Sequence, residues 1–90
     1  MYSPETTKQL QHTTTVLLQH LAQKGIDRKS IANLRDVLRF HEYRYYILND
    51  PLISDYEYDQ LYKSLEKIEA EDASLITPDS PTQRVAKGLG

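Results

Sequence analysis

Mostly hydrophobic residues recur at spacings of three and four in three segments of the chain, and this periodicity predicts three helices. In the first segment, Ser3 suits the N-cap, Pro4 suits the first helical position, and Gly25 is a natural C-terminal stop. The predicted buried face consists of Leu10, Thr14, Leu17, Leu18 and Leu21. Three consecutive threonines at 13–15 are poor helix formers and lower the helix propensity of this segment.

The second helix is predicted near residues 28–48. Asp27 can cap its start. Asn49-Asp50-Pro51 ends it, because the residue before a proline is displaced from helical geometry. The stripe that faces the core is predicted to contain Ile31, Leu34, Leu38, His41, Tyr45 and Leu48.

The third helix is predicted near residues 55–70. Ser54 and Glu57 have the spacing of a capping box, in which each side chain binds the other residue's backbone N–H. The apolar stripe continues through Tyr58, Leu61, Leu65 and Ile68. The second and third helices are therefore expected to form an antiparallel pair, with the first covering one side.

The remaining segments show no strand pattern and no internal repeat, so the predicted fold class is all-α. Residues 72–85 contain two prolines with aspartate, serine and threonine, which is typical of an extended segment. The sequence ends Lys87-Gly88-Leu89-Gly90 without a closing element, which favours a piece of a longer protein. We expect a helical domain over residues 1–71 and an extended C-terminal tail, a linker, over residues 72–90.

Composition limits the chemistry that the chain can support. Ninety residues, of which 39% are hydrophobic, allow one small domain with a modest core and little room for a deep catalytic cavity. The absence of cysteine excludes disulfides, thiolate metal sites and cysteine nucleophiles. The apolar run Val16-Leu17-Leu18 is too short for a signal peptide or a membrane span. These features predict a cytoplasmic protein without membrane contact.

Negative charge is concentrated in the middle of the chain. The net charge of −2 argues weakly against direct nucleic-acid binding. Residues 40–62 contain one Lys or Arg and five acids, a local charge of −4. A cationic ligand would be favoured there, although an ordinary solvated face has the same pattern.

Six of the seven tyrosines lie in the same stretch, between positions 43 and 62. Tyr45 and Tyr46 are adjacent on the second helix, so at most one can point fully into the core. Asp55, Tyr58 and Asp59 share one face of the third helix. A planar aromatic cation, such as the nicotinamide ring of NAD, could stack on tyrosine between these carboxylates.

Structural explanations of the same residues stay open. Tyrosines at helical spacing commonly lie at core edges, and acids in a first turn are favoured by the helix dipole. Asp55 and Asp59 are too few for an oxygen cage around a metal ion, so no metal site is predicted. His41 fits a hydrogen-bonded histidine at the core edge better than a catalytic base. No phosphate-binding glycine loop and no catalytic nucleophile are identified.

Three motifs nevertheless resemble a known family. H-x-Y-x-Y-Y at 41–46, I-S-D-x-E-Y-D at 53–59 and P-D-S-P-T-Q-R-V at 78–85 resemble the N-terminal domain of bacterial NAD-dependent DNA ligases. The resemblance covers about residues 30–85 and implies a helical domain that recognises the nicotinamide mononucleotide (NMN) half of NAD. It also implies closure over an adenylation domain, whose lysine attacks the cofactor during DNA nick sealing in replication and repair.

Carried over by position, the resemblance assigns Tyr45 and Tyr46 to packing on the nicotinamide. It assigns Asp55, Tyr58 and Asp59 to holding the ring and its ribose. Contacts with nicked DNA, and the magnesium and zinc ions, are then expected only in other domains of such a ligase.

Some features depart from the family pattern. Ala86-Lys87 stands where glycines are usual, residues 1–29 extend beyond the matched part without an assigned role, and no K-x-D-G motif occurs. The chain alone is therefore expected to be inactive as a ligase. The alternatives are a helical interaction module that dimerises through residues 1–24 and a free-standing sensor of NAD.

Overall fold

The computed structural model describes residues 2–83, which form three α-helices and two short 3₁₀ turns. The helices are α1 (Pro4–Gln23), α2 (Ile31–Tyr46) and α3 (Asp55–Glu71), and the 3₁₀ turns are Arg28–Ser30 and Ala73–Leu75. No strand occurs within this range. The predicted all-α class is confirmed.

Helices α1 and α3 start at the predicted capping residues. The Ser3 hydroxyl accepts a hydrogen bond from the Thr6 N–H at 3.1 Å. Ser54 accepts from the Glu57 N–H at 3.1 Å, and the Glu57 carboxylate accepts from the Ser54 N–H at 2.9 Å, which completes the capping box. Beyond α1, Gly25 adopts a φ of 88°, a left-handed conformation that glycine accommodates best.

The hydrophobic core combines side chains from all three helices. Leu17 comes from α1, and Leu34, Val37 and Leu38 come from α2, while α3 provides Leu61, Leu65 and Ile68. The first part of α2 lies near the segment after α3, since the Arg35 guanidinium donates to the Leu75 carbonyl. The end of α2 lies beside the start of α3, so the pair is antiparallel, and α1 packs against it as predicted.

The second helix differs from its prediction at both ends. Asp27 caps the 3₁₀ turn rather than the α-helix, by accepting from the Lys29 N–H at 3.0 Å. Tyr45 and Leu48 were placed on the stripe that faces the core, and this is wrong, because they are 45% and 44% exposed. The last turn of α2 extends past the core to the mouth of a cavity, whereas Val37 and Phe40 are buried instead.

Residues 72–83 follow the helix surface without forming a long helix of their own. Ser80 and Pro81 are buried, and the hydroxyls of Ser80 and Thr82 both donate to the buried Glu69 carboxylate. The predicted linker therefore contacts the helices along residues 72–83. The rest of it, residues 84–90 with Arg84-Val85 and Lys87 to Gly90, lies outside the described residues, and the domain division at residue 72 stays a prediction.

Over residues 2–83, none of the helices is long and apolar enough to cross a membrane.

Candidate functional site

The connection between α2 and α3 is held to the end of α2 by Arg44. Its guanidinium donates to the Asp50 carboxylate at 2.6 Å and to the Asp50 carbonyl at 3.1 Å. The Asp50 N–H donates back to the Arg44 carbonyl at 2.8 Å. Asn49 adopts a φ of 53° within this turn, a conformation that asparagine tolerates better than most residues. These contacts fix where the connection lies relative to both helices.

A cavity of about 480 Å³ lies between the end of α2, this connection and the first two turns of α3. That volume is in the usual range for small-molecule sites. Its walls include all five residues that the sequence singled out: Tyr45, Tyr46, Asp55, Tyr58 and Asp59. The structure thus brings the two predicted groups together around one space.

Four tyrosine rings form part of the cavity wall. Tyr45 and Tyr46 are 45% and 43% exposed, and their ring centroids are 4.8 Å apart at an interplanar angle of 63°. Tyr58 is half-buried, and its ring stacks on that of Tyr62 with centroids 6.2 Å apart at 27°. Aromatic faces in two orientations therefore border the same cavity.

The electrostatic character of the cavity is acidic. Glu42, Asp55 and Asp59 supply carboxylates, and its walls contain no lysine or arginine from the described chain. The Asp59 carboxylate pairs with the Lys63 ammonium at 3.2 Å, but both side chains are more than half exposed, so the pair is weak. Such a site favours a cation over an anion.

The phenol of Tyr46 stays neutral in this setting. Partial desolvation, with Tyr45, Glu42 and Asp55 nearby, holds the pKa of its hydroxyl above the ordinary value of 10.0. A neutral phenol combines an aromatic ring face with a hydroxyl that can donate or accept a hydrogen bond.

In the described chain, no group of three or more histidine, aspartate or glutamate side chains could hold a metal ion.

Several lining residues were not singled out from the sequence as parts of a site. His41 and Glu42 lie on α2, Tyr62 lies on α3, and Pro51 to Ser54 form the floor between the helices. Helical spacing in the sequence could have identified two of them, His41 and Tyr62. His41 is four residues before Tyr45 and Tyr62 is four after Tyr58, so each shares a helix face with a predicted site residue.

His41 joins the cavity wall to α1. It is 3% exposed, and its Nε2 lies 2.8 Å from the Thr14 hydroxyl, as expected for a hydrogen-bonded histidine at the core edge. Burial, with a smaller contribution from the nearby Arg44 charge, lowers the pKa of His41 from 6.5 to about 4. The imidazole is therefore neutral at physiological pH.

We expect this depressed pKa to make folding sensitive to acid. Unfolded His41 takes up a proton near its ordinary pKa of 6.5, whereas the folded imidazole does so only near 4. Its contribution is therefore complete above pH 6.5 and is lost as the pH falls, by up to about 1.4 kcal/mol per pH unit. Urea unfolding at pH 7 and pH 5 should show a loss of about 2 kcal/mol that a His41→Gln variant lacks. Equal losses in both proteins would contradict it.

Comparisons with known proteins identify relatives for this chain. Residues 24–86 match the family described as "DNA ligase-like, N-terminal NAD+-binding domain". The chain is 55% identical over 89 residues to a DNA ligase of Sulfurihydrogenibium azorense, a match that covers 94% of this chain and 13% of that protein.

Two further relatives carry the same description. The chain is 45% identical over 94 residues to a DNA ligase of Aquifex aeolicus, which covers 99% of the chain and 13% of the relative. It is 61% identical over 59 residues to a DNA ligase of Persephonella marina, which covers 66% and 8%. The chain therefore spans only a small part of the length of these relatives.

Proposed function

The chain belongs to the family of DNA ligase-like, N-terminal NAD+-binding domains, and from this we propose that it recognises the NMN half of NAD. The observation that carries this proposal is the cavity between α2 and α3. It combines tyrosine faces with three carboxylates and has no lysine or arginine in its described walls. We propose that the ligand occupies this cavity through Tyr45, Tyr46, Asp55, Tyr58 and Asp59.

The nicotinamide ring of oxidised NAD has the properties that such a site selects. The ring is planar, aromatic and positively charged, so it can stack on a tyrosine and is attracted by the negative face of that tyrosine's π system. Cation–π contacts contribute about 0.5–2 kcal/mol each, and more when water is excluded. The nearby carboxylates of Asp55 and Asp59 add Coulomb attraction and can accept hydrogen bonds from ribose hydroxyls.

Charge also sets the orientation of the cofactor. The pyrophosphate of NAD is anionic and would be repelled by Glu42, Asp55 and Asp59. The nicotinamide ring and its ribose therefore lie inside, and the pyrophosphate points to the open side. This orientation leaves the phosphates accessible to a second domain.

The role of this chain in the reaction is recognition. The sequence has no K-x-D-G motif, so the lysine that receives AMP belongs to an adenylation domain elsewhere in the ligase. We propose that residues 1–71 hold the NMN half of NAD against that domain, and that residues 72–90 lead to it. Attack on the AMP-side phosphate releases NMN, and the enzyme-bound AMP serves the later steps of nick sealing.

Titration with NMN, followed by amide chemical shifts of the labelled chain, tests the proposal. NMN should shift amides of residues 43–62, while AMP, the other half of the cofactor, should leave them unchanged. Equal responses to NMN and AMP would indicate a general nucleotide site and would overturn it. Absence of any NMN response at millimolar concentration, both in the chain and in a complete ligase that contains it, would also overturn it.

A further inference from the structure

Helix α1 lies outside the segment that defines the family. The family match begins at residue 24, whereas α1 ends at Gln23. The similarity to the Sulfurihydrogenibium azorense and Aquifex aeolicus ligases nevertheless covers 94% and 99% of the chain. The structure indicates how this helix relates to the cavity, because its Thr14 side chain contacts His41, a residue of the cavity wall.

The link is the hydrogen bond between Thr14 and His41. Both side chains are 3% exposed, and the Thr14 hydroxyl is 2.8 Å from His41 Nε2. The same hydroxyl donates to the Leu10 carbonyl at 2.6 Å. A hydroxyl has one proton to donate, so Thr14 must act as the acceptor toward His41. His41 Nε2 therefore carries the hydrogen, and Nδ1 carries a lone pair.

No second hydrogen bond holds the imidazole. Within residues 2–83, His41 Nδ1 is buried and has no hydrogen-bonding partner. The χ2 rotation of histidine is broad and roughly two-fold, so packing alone distinguishes poorly between the two ring orientations. Thr14 thus selects both the tautomer and the orientation of the ring.

The orientation of this ring matters to the cavity. His41 contributes to the wall itself, and Tyr45 follows it by one helical turn on α2. In the observed arrangement, the wall at His41 is a neutral imidazole whose N–H is turned to α1. A flipped ring would place Cε1–H against the Thr14 hydroxyl in place of Nε2, and Cδ2–H where Nδ1 now lies, and would change the polarity of that wall.

We propose that α1 is a positioning element of the NMN cavity, which acts through the Thr14–His41 hydrogen bond. The inference rests on the function proposed above and deepens it. Thr14 does not touch the ligand in this scheme. It holds the His41 ring in the one arrangement that leaves the cavity wall shaped for the nicotinamide nucleoside.

Three substitutions in α1 test the proposal. Thr14→Val keeps the shape but removes the hydroxyl, and Thr14→Ser restores it. Thr15→Val is the matched control, because Thr15 is exposed and makes the same kind of bond to the Gln11 carbonyl without contacting His41. Thr14→Val should weaken NMN binding about threefold to tenfold, the value of one ordinary hydrogen bond. The other two variants should bind as the wild type does.

The tautomer of His41 can be measured separately from stability, and it should not change if Thr14 has a purely structural role. Nitrogen chemical shifts of the His41 ring should report the Nε2–H tautomer in the wild type and in Thr14→Ser, and a mixture in Thr14→Val. Wild-type NMN affinity in a folded Thr14→Val protein would overturn the inference. Equal weakening by Thr14→Val and Thr15→Val would overturn it too. Failure of the wild type itself to bind NMN would instead count against the proposed function.

Discussion

Replacement of Asp59 with alanine is expected to block adenylation of a complete ligase by NAD while sparing the sealing of pre-adenylated nicks. The suitable protein is a chimera in which this chain replaces the matching segment of the Sulfurihydrogenibium azorense ligase. Adenylation requires the nicotinamide half of the cofactor, whereas the later steps use only the AMP already transferred. Damage to NMN recognition should therefore stop the first step alone.

The size of the effect follows from the loss of one charged contact. A hydrogen bond to a carboxylate contributes on the order of 1.5–3 kcal/mol, which is about a tenfold to hundredfold loss of adenylation rate. The loss is larger if the contact also positions the leaving group. The variant also leaves the Lys63 ammonium, 3.2 Å from Asp59 in the wild type, without its partner. That cation then lies near the site proposed for a positive ring.

Stability should change little in this variant. Asp59 is exposed, lies beyond the capping box, and forms an ion pair of a kind usually worth about 0–1 kcal/mol. The matched control is Glu66→Ala, which removes an exposed carboxylate from the same helix away from the cavity. A Glu66→Ala protein should adenylate normally. If the Asp59→Ala protein unfolds, or loses adenylation and the sealing of pre-adenylated nicks equally, Asp59 has a structural role and the prediction is wrong.

Local hydrogen bonding explains which parts of the fold were predictable from sequence. Ser3 with Pro4, and Ser54 with Glu57, fix helix starts through partners no more than three residues away. The face shared by Asp55, Tyr58 and Asp59 depends only on helix periodicity once that start is known. The structure therefore brought together all five predicted site residues, although their role as ligands stays a prediction.

Contacts between distant residues explain what the sequence did not reveal. The Thr14–His41 bond spans 27 positions. Helical spacing placed Thr14 on the buried face of the first helix, but nothing local indicated His41 as its partner. The exposure of Tyr45 depends on where the core ends, which periodicity along one helix does not determine.

The segment after α3 is also positioned by a contact between residues far apart in sequence. Its proline-rich composition is typical of a linker, yet Ser80 and Pro81 are buried. The reason lies in Glu69, whose buried carboxylate needs the hydroxyl donors that Ser80 and Thr82 provide. From its polar composition alone, a free linker could not be distinguished from a segment of turns that is hydrogen-bonded to the buried Glu69 carboxylate.

The positive charge of the nicotinamide should dominate recognition, and chemical reduction of the ring tests this directly. Reduced NMN keeps the ribose and phosphate, but its dihydropyridine ring is neutral and is not aromatic. The chain should bind oxidised NMN about tenfold to hundredfold more tightly, because reduction removes the Coulomb attraction and the cation–π contribution together. Calorimetry or amide shifts of the labelled chain would measure both affinities.

A double variant shows whether the two acids produce this preference. Asp55→Asn with Asp59→Asn keeps side-chain size while removing two of the three carboxylate charges from the cavity wall, and Glu42 stays. Affinity for oxidised NMN should fall strongly and affinity for reduced NMN should change little, so most of the preference should disappear. Stability should fall by no more than about 1 kcal/mol, since Asp55 loses only its interaction with the start of α3. A full preference for oxidised NMN in a folded double variant would show that the tyrosine faces and Glu42 select the cation without these two acids, and would remove Asp55 and Asp59 from the proposed mechanism.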